Sequence, residues 1–181
     1  RSPLAPAAFP ALPDIAGVTR RVARAQYKNW DRCDLTYVEL VPGTTVAGVF
    51  TRNVCCSSEV ELGREQVKGG IARALIVNAG NSNAFTGYRG REAVEQIMDQ
   101  VAGHLGCARE DVFVSSTGVI GVPLPKDKAR AGVAAACSAV VGVAPEGQLR
   151  RGFQAYLENE RAHPFRTFLH YNSWYDIGYF T

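Results

Sequence analysis

Apolar residues recur every three or four positions between Gly90 and Gly106, which is the spacing of one buried face of an α-helix. The apolar positions on that face are Val94, Ile97, Met98, Val101 and Leu105. A second helix, rich in alanine, is predicted from Pro125 to about Val141. The first helix therefore presents one face to a core.

Apolar and polar residues alternate from Leu35 to Leu40, which is typical of a half-buried β-strand. Pro42 and Gly43 follow as a turn signal, and residues 45–50 form a second run rich in β-forming residues. The two runs together predict a β-hairpin.

Two further short strands each lead directly into a polar segment. Residues 71–77 form an apolar run that ends in the Gly- and Asn-rich segment 78–87, and residues 112–114 lead into the Ser, Thr and Gly residues of 115–118. Because strands alternate with helices along the chain, we expect an α/β or α+β layer structure.

Both polar segments have a structural and a functional interpretation. Asn and Gly tolerate positive φ, so segment 78–87 could be a tightly wound loop whose Asn side chains satisfy its own backbone. In segment 115–121, a sharp turn at a glycine would direct a backbone N–H and a hydroxyl at one point, which stabilises a developing oxyanion. The alternative for that segment is an ordinary connection between a strand and a loop. The residues alone leave these alternatives open.

Composition excludes several classes of protein. The formal net charge of +3 arises from 20 Lys and Arg against 17 Asp and Glu, and these residues are largely interspersed, so no nucleic-acid partner is expected. No stretch approaches the roughly 18 consecutive apolar residues of a membrane-spanning helix. The five cysteines show no metal-ligand spacing, which argues against a zinc site and a disulfide framework and suits a reducing cytoplasm.

The common catalytic signatures are missing. The chain contains no GxxxxGK[ST], GxSxG, HExxH or GxGxxG motif, which argues against nucleotide binding and the common hydrolase constellations. The three histidines are isolated, and His104 lies in the last turn of the predicted helix, where the helix dipole accounts for it.

Several motifs in order resemble the N-terminal part of the bifunctional ornithine acetyltransferase/N-acetylglutamate synthase family of arginine biosynthesis. The two central motifs are NAGNSNAFTG at 78–87 and SSTGVIG at 115–121. The supporting motifs lie at residues 2–6, 15–18, 27–28, 46–53 and 123–125. The resemblance covers residues 2 to about 148.

This resemblance implies a fold, a reaction and a partner. The fold would be an incomplete α/β sandwich, a mixed sheet with packed helices. The reaction is acetyl transfer from N-acetylornithine to glutamate, in which Thr117 and Gly118 match the family's oxyanion hole. A precursor cleaves itself before a threonine, so the implied partner is the β chain that begins at this nucleophile. No metal or organic cofactor is implied, and acetyl-CoA stays open as a second acetyl donor.

The chain departs from the family pattern after about residue 148. Neither the Thr-rich nor the Lys- and Gly-rich segment that should lead to the nucleophile is found, so the chain is expected to be inactive alone. The first residue is Arg, which predicts a fragment or a processed product. We therefore expect two regions, an acetyltransferase-like domain at 1–148 and a tail at 149–181.

The predicted tail is rich in aromatic residues and contains a short helix from Leu149 and a strand at 165–171. Residues 163–176 weakly resemble the first barrel strand and loop of α-galactosidase-like glycoside hydrolases. Two alternatives to the acetyltransferase hypothesis therefore remain, a carbohydrate-active fragment and a non-catalytic globular module.

Overall fold

A computed structural model describes residues 15–138 of the chain. These residues form a four-stranded sheet in the spatial order β1-β2-β3-β4. The strands are β1 Val18–Ala23, β2 Leu35–Leu40, β3 Ala74–Asn81 and β4 Val112–Val119. The first two pairings are antiparallel and the β3–β4 pairing is parallel, so the sheet is mixed.

Within the described range, three α-helices accompany the sheet, namely α1 Ser58–Gln66, α2 Gly87–Leu105 and α3 Lys126–Ser138. Short 3-10 helices at Val67–Gly69 and Arg109–Asp111 precede β3 and β4. Helix α2 contacts α3 and β4, α3 contacts β1 and β2, and α1 contacts β4 and α2. The predicted mixed sheet with packed helices is confirmed.

The core lies between alternate strand residues and the apolar faces of α2 and α3. Leu35 and Tyr37 of β2 are almost completely buried, as are Ala74 and Ile76 of β3. They pack with Val94, Ile97 and Val101 of α2 and with Ala129, Val133 and Ala136 of α3. The period of two in the strands and of about 3.6 in the helices accounts for this burial.

The two predicted helices are present with shifted ends. Helix α2 begins three residues before Gly90 and ends before Gly106, which adopts a left-handed conformation and donates its N–H to the carbonyl of Ala102. A glycine in this conformation is a common helix terminator because it carries no Cβ. Helix α3 begins at Lys126 and is described as far as Ser138.

The predicted hairpin is wrong. Strand β2 exists, but both of its edges are occupied by β1 and β3. Residues 45–50 form no strand, and Thr45 makes only an isolated bridge to Ile71. Phe50 instead contacts α1 at Gly63, where an added Cβ would lie 2.9 Å from the ring. Long-range pairing and packing thus override the local preference of this run for β structure.

Strand β1 and helix α1 were not predicted. In β1 two arginines occupy the middle of the strand, and Arg21 pairs with Glu39 of β2 at 3.1 Å, which masks the alternation that marks a strand. Helix α1 has few apolar residues, and only Glu59, Val60 and Gly63 are buried in it. Local patterns of this kind resemble a solvated surface.

The loop between β1 and β2 is held by Asp34. Its buried carboxylate accepts hydrogen bonds from the backbone N–H groups of Ala25 at 2.6 Å, Gln26 at 3.2 Å and Tyr27 at 2.8 Å. Tyr27 in turn packs against Gly80 at the end of β3. The anchored loop therefore supports the sheet edge where both polar segments lie.

Several predictions fall outside the described residues. These are the N-terminal Pro-rich segment, the division near residue 148, the short helix from Leu149, the strand at 165–171 and the glycosidase-like segment 163–176. None of the helices described between residues 15 and 138 combines the length and the hydropathy of a membrane span.

Candidate functional site

The parallel pairing of β3 and β4 brings the two polar segments together. Asn78 lies opposite Ser116, Ala79 opposite Thr117 and Gly80 opposite Gly118. In a parallel pair the carboxyl ends of both strands lie at the same edge of the sheet, which is where ligands commonly bind. Residues far apart in sequence thus form one candidate site.

The strand pairing becomes irregular at this edge. Asn81 is opposite both Thr117 and Val119, so the register shifts by a β-bulge. Strand β4 therefore continues to Val119, and the sharp turn expected at Gly118 is instead a bulge inside the strand. Bulges are frequent beside active sites because they redirect backbone and side-chain groups.

Gly118 is required by this geometry. Its φ is +129°, and a Cβ at this position would lie 2.4 Å from the carbonyl carbon of Gly80 and 2.9 Å from the backbone nitrogen of Asn81. Only glycine allows two backbones to approach so closely at positive φ. Thr117 beside it is half-buried and Gly118 is exposed, so the candidate oxyanion-binding residues lie at the surface.

The loops that follow β3 and β4 are joined by hydrogen bonds. Ser82 donates its backbone N–H to the carbonyl of Val119 at 3.0 Å, and Gly121 donates to the carbonyl of Ala84 at 2.9 Å. The Asn81 amide donates to the carbonyl of Val122 at 3.0 Å. The Asn-rich segment therefore fixes the position of the residues after Gly118 as well as its own backbone.

A buried hydrogen-bonded chain connects the two strands below this edge. The hydroxyl of Ser116 donates to Asn78 Oδ1 at 2.7 Å, and Asn78 Nδ2 donates to the carbonyl oxygen of Asn81 at 3.2 Å. All three residues have no measurable exposure. Because buried polar groups without partners are costly, these hydrogen bonds fix the position of β4 relative to β3.

Asn83 stabilises a tightly wound loop, which is one of the two interpretations given above for segment 78–87. Its φ is +55°, its side-chain amide donates to the carbonyl of Gly90 at 3.0 Å, and its backbone carbonyl oxygen accepts the Thr86 hydroxyl at 2.8 Å. These bonds connect the loop to the first turns of α2. At this position the Asn side chain satisfies local backbone, as a tight loop requires.

Glu59 is a buried acid that sequence analysis missed. It is only 4% exposed, and neither of its carboxyl oxygens has a hydrogen-bond partner among the described residues. Burial raises the pKa of the Glu59 carboxyl. No sequence signal distinguishes it, because glutamates in the first turn of a helix are usually exposed.

The remaining candidate residues between 15 and 138 do not converge on the site. Within residues 15–138, no group of three or more His, Cys, Asp or Glu side chains is placed to hold a metal ion. Cys55 is exposed and Cys56 half-buried, and both are free thiols. His104 is exposed in the last turn of α2, as predicted.

Two solved structures that this chain resembles are an ornithine acetyltransferase and a bifunctional protein of arginine biosynthesis. A crystal structure of ornithine acetyltransferase from Mycobacterium tuberculosis complexed with ornithine matches with a TM-score of 0.66 and 35% identity, over 68% of this chain and 67% of that one. The arginine biosynthesis bifunctional protein ArgJ from Bacillus halodurans matches with a TM-score of 0.61 and 29% identity, over 65% of this chain and 62% of that one.

The family model for the ArgJ family matches residues 19–158, and the chain belongs to this family. The arginine biosynthesis bifunctional protein ArgJ of Zymomonas mobilis is 58% identical over 138 residues, which is 76% of this chain and 34% of that protein. Its counterpart in Bradyrhizobium diazoefficiens is 46% identical over 127 residues, covering 70% and 31%. The chain thus spans about a third of the length of these curated relatives, and the predicted family resemblance is confirmed.

Proposed function

We propose that this chain supplies the oxyanion-binding part of an acyltransferase that moves an acetyl group from N-acetylornithine to glutamate. Thr117 and Gly118 would stabilise the tetrahedral intermediate. Membership of the ArgJ family and the ornithine bound to the Mycobacterium tuberculosis relative support this substrate class. The proposed reaction belongs to the assembled protein, of which this chain is one part.

The observation that carries the proposal is the fixed backbone at Gly118. Its positive φ, the bulge opposite Asn81 and the close approach to Gly80 leave this part of β4 little freedom to move. An oxyanion hole is effective because its donors are already in position before charge develops. The bulge at Gly118 meets this requirement, because the pairing of β4 with β3 holds it in place.

The chemistry needs two transfers through one covalent intermediate. A threonine hydroxyl attacks the acetyl carbonyl of N-acetylornithine, its proton passes to the departing amine, and ornithine leaves an acetylated threonine. The amine of glutamate then attacks this ester, and the threonine hydroxyl is regenerated as N-acetylglutamate departs. Each attack places negative charge on the carbonyl oxygen, where Thr117 and Gly118 would act.

We propose that the nucleophilic threonine lies in a separate β chain or segment that packs beside this edge of the sheet. Phe85, Val119, Ile120 and Val122 are exposed there, at 69%, 48%, 63% and 41%. The hydrogen bonds between residues 82–84 and 119–121 make their backbones one continuous surface. Exposed apolar groups next to a functional edge favour association with a partner.

A chimera provides the test. The segment of the Zymomonas mobilis relative that matches this chain is replaced by this chain's residues, and formation of N-acetylglutamate from N-acetylornithine is measured. Thr117→Val should lower kcat about a hundredfold to a thousandfold, the usual loss for one oxyanion donor. Thr19→Val, at an exposed position of strand β1, is the matched control and should keep full activity.

Two outcomes would contradict the proposal. One is a folded, assembled chimera that forms no N-acetylglutamate, which would favour the non-catalytic module. The other is an active chimera in which Thr117→Val and Thr19→Val behave alike.

We also propose that the chain divides near residue 148 into an acetyltransferase-like domain and a separate tail. Removal of residues 149–181 should then leave the main thermal transition within about 2 °C, since surface changes rarely exceed about 0.5 kcal/mol. A large loss of stability on truncation would show that the tail belongs to the domain.

A further inference from the structure

The amide orientation of Asn78 determines where the Ser116 proton lies. Asn78 Nδ2 is 3.2 Å from the carbonyl oxygen of Asn81, which can only accept, so the amide nitrogen must face that carbonyl. Asn78 Oδ1 therefore faces Ser116, and at 2.7 Å it accepts the single hydroxyl proton of that serine. The Ser116 oxygen has only lone pairs left for any other neighbour.

Glu59 is that other neighbour, because it lies on α1, which contacts β4. The polar groups around its carboxyl are Ser116 from β4, Ser57 and the backbone from its own helix start, and Asn83 from the loop before α2, none of which is charged. The adjacent charged groups, Glu61 of α1 and Arg91 of α2, pair with each other at 3.8 Å, and both side chains are about half-exposed. An ionised Glu59 would thus be buried without a counter-charge.

A protonated carboxyl resolves both problems. Its O–H can donate to the lone pair of Ser116, whereas an ionised carboxylate would face that lone pair with another acceptor. Burial of an uncompensated charge is far more costly than burial of a neutral, hydrogen-bonded acid. The available donors and acceptors therefore favour a neutral Glu59 that donates its proton to Ser116.

We propose that Glu59 is a positioning residue for the oxyanion-binding segment: as a neutral acid it holds Ser116, and through the chain Glu59–Ser116–Asn78 it fixes Thr117 and Gly118. The effect on catalysis rests on the proposed function, whereas the hydrogen bond itself does not. Glu59 does not touch the reacting atoms in this proposal and acts only through Ser116.

The first experiment uses the 181-residue chain labelled with ¹³C and ¹⁵N and follows it by NMR from pH 5 to pH 9. The Glu59 side-chain carboxyl carbon should show the shift of a protonated acid at pH 6. If Glu59 ionises within the range, the amides of Thr117 and Gly118 should move with it, and Glu59→Gln should abolish that movement. An ionised Glu59 at pH 6, or amides that ignore its ionisation, would overturn the proposal.

The second experiment measures acetyl transfer in the chimera described above. The side chain in Glu59→Gln can still donate to Ser116, so kcat should stay within about twofold of the parent. Glu59→Leu cannot donate, and its kcat should fall about tenfold while KM stays within about twofold. This pattern is expected when a catalytic segment is displaced. Equal losses in both variants, or none in Glu59→Leu, would overturn the proposal. If the parent chimera shows no turnover, the proposed function fails, and the NMR experiment still decides the role of Glu59.

Discussion

Substitution of Gly118 by alanine tests the central geometric feature of the site. A side chain at φ +129° carries a backbone strain of about 1–2 kcal/mol. The added Cβ would also lie 2.4 Å from the backbone of Gly80, and relief of such overpacking costs about 1–3 kcal/mol. Because the obstacle is backbone and not a flexible side chain, β3 and β4 must separate. Together the two effects predict a loss of about 2–5 kcal/mol in the free energy of unfolding.

Urea unfolding of the 181-residue chain measures this loss. With a slope of about 2 kcal/mol/M, the midpoint of Gly118→Ala should fall by about 1–2.5 M. Gly121→Ala is the matched control, because Gly121 has φ +78° and a Cβ added there would meet no atom within 4 Å. It should lose only the strain contribution, about 0.5–1 M in midpoint. If both variants lose the same stability, the close approach between Gly80 and Gly118 is refuted.

Three further predictions concern buried polar groups. Because the pKa of Glu59 is raised in the folded state, its contribution to the free energy of unfolding is complete below the unfolded pKa of about 4.3 and is lost as pH rises through the folded pKa. Glu59→Gln should therefore flatten the decline of the urea midpoint above pH 4.3. An unchanged decline would contradict this prediction. Asp34→Ala leaves three backbone N–H groups without their acceptor and should cost about 2–4 kcal/mol in the free energy of unfolding, measured with urea. The control Asp31→Ala removes only an exposed ion pair and should cost under about 1 kcal/mol. Similar losses in the two variants would argue against the anchoring role of Asp34. Ser116→Ala orphans Asn78 Oδ1 and should cost about 1–3 kcal/mol in thermal or urea unfolding, a loss that a fully stable variant would disprove.

The reliable sequence signals were those in which burial is periodic and local. Helix α2 follows from its apolar spacing and the glycine that ends it, and β2 follows from alternation. Both features are set by neighbouring residues, so their positions were predicted to within a few residues. The sequence also predicts that each polar segment follows a strand, because the end of a strand and the residues after it are adjacent in the chain.

Pairing between distant segments was not predictable in the same way. Residues 45–50 have β-forming composition, yet β1 occupies the edge of β2 that a hairpin would need. Strand β1 itself was hidden by Arg20 and Arg21, whose charges are accommodated only through partners such as Glu39 on β2. Which strand takes an edge depends on the total packing energy of the fold and not on one segment's propensity.

The family, the main helix, one central strand and the candidate role of Thr117 and Gly118 follow from local patterns and motifs. The three-dimensional fold was needed to show that Asn78 meets Ser116, that Gly118 faces the backbone of Gly80, and that Glu59 is buried. Periodicity depends on consecutive residues, whereas the environment of a polar group is created by segments that meet through the parallel β3–β4 pairing. A glutamate in a first helical turn becomes a buried acid only when β4 and the loop before α2 exclude water from it.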